Sequence, residues 1–232
     1  MNQYNPYQSP AAHARPGLVE ARAQFITRTY AHLFGAIAAF TALEVFLFKT
    51  GIAYAILPLF ANWWLVLGAF VIASMVASRF ALGASSKAAQ YFGLGVYIVA
   101  EALIFIPLLT FAEMKGPGVI SSAAFVTMAG FGGLTAVAFV TRKDFSFLRG
   151  FVMWGGIVAL LLIGAALLFG LKLGVFFSVA MVALAGASIL YDTSNVLRHF
   201  PTDRYVGAAL RLFSSVALMF YYILSIFMSS RD

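Results

Sequence analysis

Seven apolar stretches, each close to the ~20 residues a helix needs to cross a bilayer, constrain this chain more than any other feature. They lie at roughly 26–48, 60–79, 88–110, 118–140, 149–170, 174–197 and 206–228. A helix is suited to such a stretch because it satisfies every backbone hydrogen bond internally, where lipid offers no partner. Barrel strands would be about half as long and would alternate in polarity, which these stretches do not. Composition agrees, with 62% hydrophobic and 10% charged residues. A soluble domain is nearer half apolar and about a quarter charged. The expected fold is an all-α membrane protein with seven transmembrane helices in a domain spanning 25–232. Residues 1–24, rich in Asn, Gln, Tyr and Pro at their start, are expected to form a disordered cytoplasmic tail rather than a signal peptide. The start of span two is left open. Pro58 and Asn62 suggest a short loop or re-entrant piece ahead of Trp63 and Trp64, a pair suited to the membrane interface.

Positive charge sets the expected orientation. Arg15, Arg22, Arg28, Arg79, Lys87, Arg142, Lys143, Arg149, Arg198, Arg204 and Arg211 fall on one side, and Lys49, Lys115, Lys172 and Arg231 on the other. That asymmetry puts the N-terminus in the cytoplasm. Seven full crossings put the C-terminus outside. Arg211 near the start of the last stretch keeps a re-entrant final helix as an alternative.

Acidic residues are scarce, and three of them fall in or at the ends of the apolar stretches: Glu44, Glu101 and Asp192. An ionisable group there is costly and marks a functional candidate by default. Asp192 ends the uncharged run Leu173–Tyr191, and its alternative role is a simple headgroup-layer residue. At a rise of 1.5 Å per residue, Glu101 lies ~21 Å beyond Lys87 and Glu44 ~24 Å beyond Arg28. Both therefore sit in the outer half, with Asp192 near the inner end, so the three acids mark the two mouths of one polar path. Arg79 and Arg211 are the cations able to answer Asp192 in a carboxylate–arginine latch. Protonation would loosen such a latch and make opening depend on pH. Oxygen ligands without thiols suit Ca²⁺ or H⁺ as the permeant ion.

Several classes are disfavoured. The absence of cysteine removes thiolate chemistry and disulfides. No HExxH, GxSxG or Walker loop occurs, so an enzyme is not expected. His13, His32 and His199 have no metal-ligand spacing, and no resident cofactor is expected. The net charge of +7 reports orientation rather than nucleic-acid binding. No internal repeat supports an inverted-repeat transporter. Gly130, Gly132, Gly133, Gly155, Gly156 and Gly164 are expected at close helix contacts.

Three segments carry a family resemblance: Phe25–Tyr30; Thr135–Leu148, with its Thr-Arg-Lys-Asp-Phe-Ser-Phe exit; and Ile189–Thr193 followed by Ala208–Phe213. Over roughly 25–228 the chain resembles the Bax inhibitor-1 family of transmembrane proteins, as a bacterial member in the cytoplasmic (inner) membrane. The resemblance implies seven helices with the last surrounded by the others, and a Ca²⁺ leak gated by pH. It also implies a proton-sharing aspartate pair on the last two helices, latched by an arginine at the end of span two. Asp192 matches the first aspartate and Arg79 the arginine. Ser215 stands where the second aspartate belongs. Two facing carboxylates titrate as a coupled pair, and that coupling is lost here.

The leading expectation is a pH-influenced calcium (cation) leak channel, gated by Asp192, Arg79 and Arg211, with Glu101 and Glu44 along the path. The alternative is a non-conducting membrane regulator of proteolysis or stress, with a membrane protein partner besides the lipid bilayer.

Overall fold

The structure, a computed structural model, describes residues 16–84 and 86–230. Helix α1 spans Pro16–Lys49. A short α2 (Ile52–Ile56) and a 3₁₀ turn (Leu57–Ala61) lead into α3 (Trp63–Ser78). Then follow α4 (Lys87–Met114), α5 (Val119–Thr141), α6 (Leu148–Phe169), α7 (Gly174–Arg198) and α8 (Tyr205–Ser229). Seven of these helices are long and apolar enough to cross a membrane, and no strand occurs among the described residues. Pro58 falls in the 3₁₀ turn, where its missing N–H is tolerated, and the second span begins only at Trp63.

Of the expected tail, residues 1–15 lie outside the described residues, but 16–24 are helical and form the first turns of α1. The cause is a dock that apolar patterning could not reveal. The Arg22 guanidinium donates to the carbonyls of Phe200 at 2.6 Å and Val196 at 3.4 Å, capping the C-terminal end of α7. A cation there meets both unpaired carbonyls and the negative end of the helix dipole. Phe25 stacks on Phe200 at 6.2 Å, fully buried.

Short connections make successive spans run alternately up and down. The central helix is α8, which packs against α1, α4, α5, α7 and the end of α3. Both α4 and α8 are largely buried, whereas α6 lies outermost, mainly against α7. In lipid, apolar burial gives little driving force between helices, so close packing has to come from shape. The tightest contact is where α3 ends in a π turn, Arg79–Gly83, wedged between α4 and α8. A Cβ on Gly93 would fall 2.6 Å from the Ala77 carbonyl oxygen, and one on Gly207 2.5 Å from that of Ala81. Only glycine fits at either place. Of the glycines expected at contacts, Gly155 meets Leu184 and Gly130 meets Met219, but Gly132, Gly133, Gly156 and Gly164 face open space.

Candidate functional site: a polar seam on the central helix

Ser214 and Ser215 interrupt the apolar middle of α8, and each serves a different neighbour. Ser215 faces α7 and donates its hydroxyl to Oδ2 of Asp192 at 2.9 Å. Asp192 is 7% exposed. Its other oxygen, Oδ1, lies 4.0 Å from Nη1 of Arg211, one turn earlier on α8. That separation is an electrostatic contact, longer than a charge-assisted hydrogen bond. Arg211 itself is half exposed and rests against the Phe200 ring at 5.9 Å. The aspartate is thus held between a buried hydroxyl and a cation that opens toward the bundle end.

Ser214, one residue away, faces α4 and accepts the Tyr97 hydroxyl at 2.7 Å. Glu101 is one turn along from Tyr97 on the same face of α4 and is itself buried. Adjacent positions of α8 therefore bind Asp192 of α7 and Tyr97 of α4, the latter one turn from Glu101. The Asp192 and Glu101 clusters flank α8 rather than occupying its opposite ends.

Arg79 is not part of this site. The wedged π turn turns Ala81 inward, fully buried, and Arg79 stands two residues, about half a turn, away. It is exposed on a groove with Phe70, Ser74 and Met75, and the ion pair to Asp192 is made by Arg211 instead. Glu44 is also separate. It lines a cavity of about 290 Å³ between α1, α4, α5 and α8. Phe213 stands between that cavity and the seam: its ring forms part of the cavity wall and packs edge-on against Tyr97 at 6.0 Å. Phe40 closes the same wall, 5.2 Å from Phe105 and 6.0 Å from Phe213.

The loop after α5 completes the surroundings of Asp192. Arg142 adopts a left-handed conformation at φ 48° and ends α5. The Phe145 amide then donates to the buried Ser194 hydroxyl at 3.0 Å, anchoring the loop two residues from Asp192. The Asp144 carboxylate accepts the Ser146 amide at 2.9 Å and lies 3.7 Å from His199. The Ser146 amide bond, with lesser help from nearby His199 and Arg198, holds the Asp144 carboxyl below the usual carboxylate range. Among the described residues no group of three His, Cys, Asp or Glu side chains is placed to hold a metal.

Tyr97, Ser214 and Ser194 were not singled out by the sequence reading. The available signals were a tyrosine four residues before Glu101, on the same helix face, and a Ser-Ser pair inside an otherwise apolar helix.

These features define a multi-pass membrane protein whose last two helices share an acid–hydroxyl–arginine cluster. The chain belongs to the Bax inhibitor-1 family: the family model described as inhibitor of apoptosis-promoting Bax1 matches residues 22–232. A comparison with curated proteins returns no significant match.

Proposed function

We infer that this protein is a pH-influenced Ca²⁺ or cation leak of the bacterial cytoplasmic membrane, with its N-terminus in the cytoplasm. The observation that supports this most directly is the placement of Asp192, buried at the α7–α8 interface with Ser215 on one oxygen and Arg211 near the other. Protonating Asp192 removes the attraction to Arg211 while keeping a hydrogen bond to Ser215 available, so the contact tying the start of α8 to α7 weakens as protons bind. Glu101, on the other side of α8, supplies the next oxygen ligands along the path. Ca²⁺ is cargo in this reading; no resident cofactor and no catalytic step are involved.

The test is Ca²⁺ flux into proteoliposomes across pH, comparing the wild type with Asp192→Asn. A leak whose pH response is lost in the variant supports the reading. Absence of flux at every pH would falsify it.

A second reading, a non-conducting regulator acting through a membrane protein partner, is favoured by one observation. Phe40, Phe105 and Phe213 form a continuous ring contact across the region between the Glu44 cavity and Glu101. Crosslinking in native membranes separates the two: a stoichiometric partner supports regulation, and an isolated monomer speaks against it.

A further inference from the structure

Two cations at the bundle end that holds the start of α1 have no acidic partner among the described residues. The ion pairs there are made by His199, Arg204 and Arg211, and neither Arg28 of α1 nor Lys87 of α4 joins one. Both stand over the same ring, that of Tyr205 at the start of α8. The Arg28 guanidinium lies 5.7 Å from its centroid and the Lys87 ammonium 4.3 Å. Two neighbouring positive charges repel, and an anion between them relieves that cost. Lys87 is held in place by donating to the Asp203 carbonyl and, at 3.4 Å, to Oε1 of Gln90, which leaves one of its three donors free. Arg28 is exposed, and its guanidinium makes no hydrogen bond among the described residues. The nearby acid, Asp203, is paired with Arg204 at 4.0 Å. The segment before α1 does not supply the anion either, because residues 1–15 contain no Asp or Glu.

One turn further along α1 and α4, a groove of about 260 Å³ opens between the two helices, lined by Ala31, His32, Gly35, Ala36, Leu94 and Ile98. His32 closes its near end. Nδ1 of His32 donates to the Arg28 carbonyl at 2.6 Å, since a carbonyl can only accept, so in the neutral ring Nε2 accepts the Tyr91 hydroxyl at 2.7 Å. This bridge ties α1 to α4 just below the two cations. Gly35 is exposed, and a Cβ there would meet nothing within 4 Å. No helix contact requires a glycine at this position; its smallness keeps the groove open instead. Paired cations at one end, with an apolar channel leading from them into the bilayer, match the layout of a phospholipid.

We propose that this face binds one anionic phospholipid, with its phosphate between Arg28 and Lys87 and part of an acyl chain in the α1–α4 groove. Basic pockets between membrane helices take anionic headgroups. A zwitterionic lipid brings its own ammonium toward the two cations and gains less. The site is separate from the Asp192 seam. It depends neither on conduction nor on which side of the membrane this end faces.

The experiment is native mass spectrometry of the purified full chain in detergent, titrated with phosphatidylglycerol or with phosphatidylcholine of the same chains. The wild type is expected to bind the first phosphatidylglycerol about tenfold or more tightly than phosphatidylcholine. Arg28→Gln and Lys87→Gln should each weaken phosphatidylglycerol about fivefold and leave phosphatidylcholine unchanged. Arg28→Gln breaks no hydrogen bond, and it keeps the test decisive if Lys87→Gln does not fold. Gly35→Leu, which fills the groove from a position whose Cβ meets no neighbour, should weaken both lipids. Lys143→Gln removes an exposed cation from the loop after α5 and should alter neither. Equal affinities in the wild type overturn the proposal. So does a preference that survives both cation substitutions, or one that Lys143→Gln reduces as much as they do. Glycerol 3-phosphate separates the lipid from a free phosphate ester: binding as tight as that of the lipid leaves the groove no part and overturns the proposal. A dimer that forms at the expense of lipid binding assigns the groove to a second copy of the chain and overturns it too.

Discussion

Ser215 faces Asp192 across the α7–α8 interface and donates a hydrogen bond of 2.9 Å to it. The position where the family resemblance implies a second aspartate is therefore in direct contact with the first. Replacing the acid by serine exchanges a shared proton for a fixed donor. Ser215→Ala leaves Oδ2 of Asp192 without that donor, and a buried acceptor stripped of its partner costs about 1–3 kcal/mol. The expected outcome is a lower unfolding temperature in detergent for Ser215→Ala, with Ser215→Thr close to wild type.

Restoring the carboxylate should change how the protein responds to protons. Ser215→Asp sets two carboxylates against each other at hydrogen-bond distance, where they titrate as one coupled unit. Under the leak reading, Ca²⁺ flux in proteoliposomes should become more steeply dependent on pH than in the wild type. An unchanged profile would show that position 215 has no part in sensing.

The two arginines should behave differently. Arg211→Gln removes the cation 4.0 Å from Asp192 and should reproduce the flux profile of Asp192→Asn, with no additional effect when both are combined. Arg79→Gln removes an exposed side chain outside the cluster and should leave that profile unaltered.

The wedge at the end of α3 predicts a stability effect set by position rather than by glycine content. Gly93→Ala and Gly207→Ala push a methyl group to within 2.6 and 2.5 Å of backbone oxygens, which calls for backbone shifts costing about 1–3 kcal/mol. Gly132→Ala meets open space and should be neutral or stabilising by up to about 1 kcal/mol through helix propensity. Thermal unfolding of the three variants checks the order.

Asp144 gives a pH prediction outside the spans. Its carboxyl is held below the usual range, so its contribution is fully present above the unfolded-state value and is lost only as pH falls through the lower folded-state value. With an ordinary aspartate near ~3.9, the part of the 142–147 loop's protection in hydrogen exchange that depends on Asp144 should be intact at about pH 5 and decline only below about pH 4. Asp144→Asn should abolish that acid-limb decline.

The apolar stretches were enough to recover seven spans, because the bilayer enforces helix length and leaves few alternatives. Asp192 and Arg211 were also legible, since charges in such stretches stand out. The errors came where tertiary contact overrides local pattern. Residues 16–24 look like a tail until Arg22 is seen capping α7. Arg79 lies at the expected sequence position, but the π turn points it out of the cluster. Tyr97 was missed because rise along one helix says nothing about a side chain reaching to the next. Ser214 was hidden because a serine in a membrane helix carries no charge to draw notice.

Phe213 has a mechanical consequence. One face of its ring bounds the Glu44 chamber, another packs against Tyr97, and its backbone lies beside the two serines of the seam. A rigid ring cannot serve both neighbours independently, so a twist of α8 that parts Ser215 from Asp192 also reshapes the chamber wall. The rotational setting of α8 and the size of that cavity are then linked, so a change imposed on either one biases the other.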